Sequence, residues 1–219
     1  MKPQLIIFDF DGTLADTTES ILATFRATIE EGNLPYRADE QCRATIGIPL
    51  KEGFRQLYPD FDDRRIAEVV ALYRSVYRKT KLLFPPRLYK GVADTLTTIS
   101  GLGIKMSVAS SRSRESLIEF LDQCGITRFF SLILGCEDVA KPKPDPEAVI
   151  KTLETLDADG SESLVIGDMP VDITMGRGAG CRTVGVTYGN SDRRALINAG
   201  ADFIIDRFVD ILPRVVFDK

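Results

Sequence analysis

The chain contains no histidine. That absence removes Ser-His-Asp and Cys-His catalysis and takes away the commonest nitrogen ligand of zinc. Acid–base work falls to carboxylates or lysine, and covalent chemistry to Asp, Ser or Lys. Cysteine is sparse as well: Cys42, Cys124, Cys136 and Cys181 are widely spaced and form no CxxC pair. With no signal-peptide pattern ahead of the first apolar run, they read as reduced, partly buried thiols of a cytoplasmic protein. No apolar stretch approaches the ~20 residues of a membrane span, so no membrane partner is expected. A basic excess is also missing, since net charge is −4, and no nucleic-acid partner is expected. The remaining composition, 44% apolar and 27% charged over 219 residues, suits one large globular domain or a domain carrying an insertion.

What is present begins with Asp9-Phe10-Asp11-Gly12-Thr13, directly behind the apolar run Leu5-Ile6-Ile7-Phe8. Four consecutive apolar residues read as a strand buried on both faces of a parallel sheet. Aspartates at i and i+2 lie on one side of an extended chain, and Gly12 allows a sharp turn after them. Two carboxylates about 4 Å apart repel by roughly 4 kcal/mol at an effective dielectric near 20. That corresponds to about three pKa units at about 1.36 kcal/mol each. Either one carboxylate takes a proton or a cation sits between them. At neutral pH a divalent metal is the simpler answer, and an all-oxygen site suits Mg²⁺.

Residues 16–86 read as helical. Ile21, Leu22, Phe25 and Ile29 recur at helical spacing before Gly32, short helices fit 39–46 and 49–58, and a long one runs from 62 or 63 to about 81. From Gly91 strands alternate with helices. Strands are expected at 104–109, 132–134, 164–166, 183–186 and 203–205, with helices near 92–102, 113–124, 146–157, 171–179 and 192–199. That alternation predicts an α/β fold, a doubly wound, mostly parallel Rossmann-like sheet. The helical block becomes an insertion after strand one, giving a core of residues 1–15 and 87–219. Ligands of such sheets bind beyond the strands' carboxyl ends. Asp9 and Asp11, Ser110-Ser111, Lys141 and the Gly167-to-Asp172 stretch all fall there.

These residues resemble the haloacid dehalogenase superfamily, in its subclass with a helical cap after the first motif. DxDGTLxDT appears as Asp9 to Thr17, a strand-end Ser as Ser110, a Lys in a KPxP setting as Lys141, and GDxxxD as Gly167, Asp168 and Asp172. The resemblance implies a phosphatase in which Asp9 attacks phosphorus and Asp11 protonates the leaving oxygen, then activates water. Mg²⁺ would be held by the Asp9 carboxylate, the Asp11 backbone carbonyl and Asp168, with Asp172 acting through water. Ser110 and Lys141 would bind phosphoryl oxygens, with Gly12, Thr13 and Ser111 in the surrounding cradle. Lys143 competes with Lys141 within the same segment, and Ser110 reads alternatively as a cap for the helix beginning at Ser113.

Asp11 argues against the dehalogenases and phosphonate hydrolases, which lack a carboxylate there. Ile21 stands where related sugar-phosphate mutases carry histidine. Ile46 to Leu50 and the stretch from Tyr188 to Asp202 look like phosphoglycolate phosphatases and their pyrophosphatase relatives. The expected substrate is therefore a small-molecule phosphate ester, phosphoglycolate-like, with pyrophosphate or a sugar phosphate as alternatives, handled by a monomer or weak dimer. A phospho-Asp signalling or binding module is the competing non-enzyme reading. In the insertion, Arg43, Lys51 and Arg55 are either substrate-facing cations or solvated surface charges. Its 11 basic and 11 acidic residues balance and name no substrate. Arg74, Arg78, Lys79 and Lys81 read as complements to a helix dipole. Glycines 176, 178 and 180 are expected to loosen the helix after Asp172 by roughly 1 kcal/mol each.

Overall fold

The computed structural model of the chain describes residues 2–213. Residues 1 and 214–219 of the expected core therefore lie outside the described part. The order is β1 (Leu5–Phe8), β2 (Ala15–Asp16), α1 (Thr18–Glu31), α2 (Asp39–Arg43), α3 (Leu50–Leu57) and α4 (Asp63–Thr80). There follow β3 (Arg87–Leu88), α5 (Val92–Gly101), β4 (Lys105–Ala109), α6 (Arg114–Gln123), β5 (Leu132–Leu134) and α7 (Glu147–Leu156). β6 (Ser163–Gly167), α8 (Pro170–Gly178), β7 (Arg182–Val186), α9 (Arg193–Asn198) and β8 (Phe203–Ile205) complete it.

Six strands form one parallel sheet in the order β5-β4-β1-β6-β7-β8. β1 is central, and its four apolar residues are fully buried because both faces are covered. Ile6 and Phe8 pack with Met106, Val108, Leu164 and Ile166 under α5 and α6. Leu5 and Ile7 face the other way, joining Val165, Val149 of α7 and Met175 of α8. The period-two alternation hidden in an unbroken apolar run thus becomes two cores. From β1 the chain winds outward through β4 and β5, then returns to β6 and winds the other way. Loops at the carboxyl ends of β1 and β6 diverge at this reversal, which is where such sheets bind ligands.

Between β1 and α5 lies the helical insertion. α1 to α4 pack around their own cluster of Phe25, Phe54, Tyr58, Ile66, Val69 and Tyr73. Asp62 caps α4 by accepting from Arg65 N at 2.7 Å, and Gly32 ends α1. The ends of the block are gathered by a feature too short for sequence pattern to suggest, the antiparallel pair β2–β3, with Ala15 opposite Leu88 and Asp16 opposite Arg87. No helix among the described residues is long and apolar enough to cross a membrane.

The glycines after Asp172 do not interrupt the helix expected there. α8 runs unbroken to Gly178, and a Cβ on Gly176 would lie 2.7 Å from both Val165 Cβ and Thr183 Cγ2. Gly176 is there so that α8 can press directly on β6 and β7. Gly176→Ala gains about 1 kcal/mol of helix propensity but must displace a β-branched neighbour on a packed sheet, at about 1–3 kcal/mol. The variant is expected to lose about 1 kcal/mol net in urea unfolding with m unchanged; a more stable variant would overturn this packing argument.

Candidate active site

Asp9 extends the ladder of β1, its amide donating to Ile166 O at 2.8 Å. Three residues later the chain must turn against β6, and it does so at Gly12 with φ +85°. A Cβ there would sit 2.2 Å from Asp168 Oδ2, so only glycine allows this approach. The turn closes through Gly12 N to Ala15 O at 2.9 Å and Leu14 N to Phe10 O at 3.0 Å. On the neighbouring strand Gly167 plays a similar part, since a Cβ would lie 2.2 Å from Asp172 Cβ. Four aspartates from two strand ends are thereby drawn into one buried space.

Asp9, Asp168 and Asp172 each offer a carboxylate oxygen within 4.8 Å of the others. Lys143 enters between two of them, its Nζ donating to Asp9 Oδ1 at 2.6 Å and Asp172 Oδ1 at 2.7 Å. Asp172 Oδ2 accepts the amide of Met169 at 3.0 Å and caps α8. Asp168 Oδ2 accepts from Asn190 through its backbone N at 2.7 Å and Nδ2 at 2.9 Å. Burial pushes Asp9 well above the ordinary carboxylate range; Lys143 opposes this, while Asp172, Asp168 and Asp11 add to it. Asp168 is pushed up to about 7 by burial and then by the charge of Asp172, against the pull of Asn190. For Lys143 burial acts downward, but Asp172 and Asp9 outweigh it and hold the ammonium above its usual range.

Asp11 is held differently. Arg112 reaches both of its oxygens, Nε to Oδ2 at 3.1 Å and Nη2 to Oδ1, and Thr17 Oγ1 donates to Oδ1 as well. Asp9, in contrast, keeps Oδ2 without a hydrogen-bond partner among the described residues. Four carboxylates against Lys143 and Arg112 leave two negative charges uncompensated, the charge of one divalent cation. The donor atoms are hard oxygens, which suits Mg²⁺.

Lys141 is not in this cluster. Its ammonium is exposed, 3.9 Å from Asp145, while Lys143 is buried. The cause is Glu147 at the start of α7, which accepts the amides of Ala140 and Lys141 at 2.7 and 2.8 Å. That grip keeps residue 141 at the surface, and the turn from Pro142 to Asp145 carries Lys143 inward. Ser110 is buried at the end of β4, and its Oγ accepts the Arg112 amide at 3.2 Å. Capping of α6 is done by Ser113, which leaves Ser110 available to the site. Thr13 Oγ1 donates to Asp168 at 3.4 Å, and Ser111 Oγ donates to Gly47 O at 2.8 Å, bridging core and insertion.

A cavity of about 530 Å³ lies between the two parts, bounded by Asp9, Asp11 and Ser110 on the core side. Of the three insertion cations singled out from sequence, only Lys51 lines it. Arg55 is engaged by Asp63 at 2.7 Å and Glu52 at 3.2 Å, and Arg43 is exposed elsewhere. Arg74, Arg78 and Lys81, read from sequence as complements to a helix dipole rather than as ligands, line the cavity. Sequence reasoning misses Arg112, Asn190 and Tyr77 as residues of the site. Arg112 carried one usable signal, a cation two residues past a strand-end serine.

The sequence and the fold both have relatives among known proteins. The family model described as haloacid dehalogenase-like hydrolase matches residues 6–186. A protein of Dickeya dadantii named "Probable phosphatase IndB" is 35% identical over 97% of this chain and 93% of its own length. "Pyrophosphatase PpaX" of Halalkalibacterium halodurans is 31% identical over 98% of both chains. A solved haloacid dehalogenase-like family hydrolase from Streptococcus pneumoniae superposes with TM-score 0.85 over 96% of this chain and 97% of its own, at 24% identity, a likeness of fold. With its central β1, its aspartate pair behind that strand and its family match across most of the length, the chain belongs to the haloacid dehalogenase-like hydrolases.

Proposed function

We propose that this chain is a Mg²⁺-dependent phosphatase that hydrolyses small-molecule phosphate monoesters through an aspartyl-phosphate on Asp9. The observation that carries the reading is the unequal treatment of the two motif aspartates. Asp9 is pinned at Oδ1 by Lys143 and keeps Oδ2 free of hydrogen bonds at the cavity, as a nucleophile requires. Asp11 stands beside it on the same cavity, placed for proton transfer to and from the reacting oxygens. In this reading Asp9 Oδ2 attacks phosphorus, the ester P–O bond breaks, and Asp11 supplies the proton to the departing alcohol. Asp11 then takes a proton from the water that releases phosphate.

Asp9, Asp168 and Asp172 would hold Mg²⁺, which supplies charge neutralisation for the phosphoryl oxygens when bound. Lys143 keeps Asp9 and Asp172 in place, and Ser110 faces the phosphoryl group. Residues 16–86 act as a cap that opens for substrate and closes to keep bulk water from the phosphoenzyme. A separate hydrophobic cluster and the narrow β2–β3 connection support that division. Phosphoglycolate is the favoured substrate; relatives named pyrophosphatase make pyrophosphate the second reading.

The direct test is phosphate release with Mg²⁺ across phosphoglycolate, pyrophosphate, sugar phosphates and nucleotides. Asp9→Asn is expected to abolish turnover of every substrate while circular dichroism stays unchanged. A variant retaining a tenth of normal activity would remove Asp9 as the nucleophile. Lys143→Ala is expected to lower kcat by about 10²-fold or more, the scale of losing one preorganised electrostatic partner. Lys141→Ala should stay within a few-fold of the parent, and the reverse ranking would contradict the assignment.

Asp168 also predicts a pH dependence. Its carboxyl is raised from 3.8 to about 7, so between these values the folded chain holds a proton that the unfolded chain has released. The stabilisation is therefore full below about pH 4 and lost as pH rises through about 7. A cation needs the same carboxylate ionised, so it competes with that proton. The metal-free protein is expected to lose melting temperature between pH 5 and 7.5 at this site. Added Mg²⁺ should raise Tm more at pH 7.5 than at pH 5. An equal or larger Mg²⁺ effect at pH 5 would contradict the assigned site.

A further inference from the structure

We propose that Arg112 is a positioning residue for Asp11, and that it ties the placement of that carboxylate to the helical insertion through Tyr77. The inference rests on the reading of Asp11 as the proton donor in ester cleavage. Arg112 follows β4 by three residues, its side chain is 8% exposed, and it lines the cavity that Asp9 and Asp11 share. Its guanidinium bonds Asp11 at both oxygens. A fork gripping two oxygens fixes the plane and direction of a carboxyl group, which a point charge such as lysine does not. Without it, Asp11 would stand beside Asp9, Asp168 and Asp172 with only Thr17 to orient it, and their charges would push it away.

The guanidinium is itself held from two directions. Nη1 donates to Ser116 Oγ of α6 at 3.1 Å and to the hydroxyl of Tyr77 on α4. Tyr77 OH also lies 3.2 Å from Ser116 Oγ, closing a triangle of polar atoms. The ring of Phe120 lies under the guanidinium at 4.5 Å and that of Tyr77 at 5.5 Å. Ser116 and Phe120 belong to the core, whereas Tyr77 belongs to the insertion. A shift of α4 therefore removes one hydrogen bond and one ring from Arg112, and Asp11 feels it at once. A buried ion pair whose only task was stability would be replaceable by apolar packing without loss. This one instead joins a motif aspartate to the part of the chain that covers the cavity.

Positioning for proton donation leaves a signature that a merely structural role does not. A nitrophenolate departs without needing a proton, whereas an alkoxide does not. The experiment compares kcat/KM, which reports ester cleavage, for p-nitrophenyl phosphate and for the best alkyl phosphate of the panel above. Arg112→Ala is expected to lower kcat/KM for the alkyl ester by about 10²-fold, with less than about tenfold loss for the nitrophenyl ester. Tyr77→Phe keeps the ring and removes only the hydroxyl. It should show the same preference at about 3- to 10-fold, and it carries the test if Arg112→Ala does not fold. Equal losses on both esters, or none on either, would overturn the assignment. Asp11→Asn separates the two claims. If it cleaves the alkyl ester normally, the reading of Asp11 itself fails. If it is inactive while both other variants cleave the two esters like the parent, only the role of Arg112 fails.

Discussion

Everything in this molecule is arranged around the cost of crowding four carboxylates into a space without bulk water. Asp9, Asp11, Asp168 and Asp172 are all at least nine-tenths buried. Their mutual repulsion and desolvation act against folding, and a chain would be more stable with apolar residues there. The fold tolerates the cluster because the ladder between β1 and β6 is rigid, and because Gly12 and Gly167 leave room for oxygen atoms where side chains would stand. Lys143 and Arg112 offset part of the charge, from the loop ahead of α7 and the loop after β4. In the function proposed above, the residual charge is what a divalent cation would neutralise, and that cation beside a free carboxylate oxygen would receive a phosphate dianion.

The two cations do different work, and the difference follows from their shapes. Lysine is a compact charge on a flexible stem, and here it is shared between Asp9 and Asp172, one oxygen each. It leaves the other oxygen of Asp9, a residue that lines the cavity, without a hydrogen-bond partner among the described residues. Arginine presents a planar fork and takes Asp11 by both oxygens. Exchanging them would reverse this: a fork on Asp9 would engage the oxygen that attacks in the proposed reaction, and an ammonium on Asp11 would leave its plane unset. The proposed division between a nucleophile and a proton carrier thus rests on which base faces which acid.

How much of this was legible beforehand depends on how local each signal is. The six sheet strands and the helices between them were readable because their apolar runs and turn residues lie within single windows of sequence. The acid cluster was readable because a strand end fixes where the next residues fall. Lys143 was not separable from Lys141, because two lysines in one proline-rich loop look alike and only the grip of Glu147 on the amides of 140 and 141 decides between them. Arg112 was missed because its partners, Asp11, Tyr77 and Ser116, come from three separate parts of the chain. The β2–β3 pair was missed because two residues per strand leave no periodicity to detect.

The α4 cations show how a sound local argument can point to the wrong surroundings. Arg78, Lys79 and Lys81 do stand where a helix dipole favours positive charge, and that reasoning is correct as far as a single helix goes. The insertion, however, turns the last turns of α4 toward the core, so Arg74, Arg78 and Lys81 also border the cavity. Lys81 is taken up by Glu119 of α6, which joins core and insertion at that edge. Ile48, Pro49 and Leu50 add apolar surface to the lining from the loop before α3 and its first turn. The cavity therefore grades from an anionic floor at Asp9 to a mixed wall of cations and hydrocarbon supplied by the insertion. In the proposed function the chemistry falls to the side built from strand ends, and selection of the leaving group to the side built from helices, whose residues can vary without disturbing the carboxylates beneath.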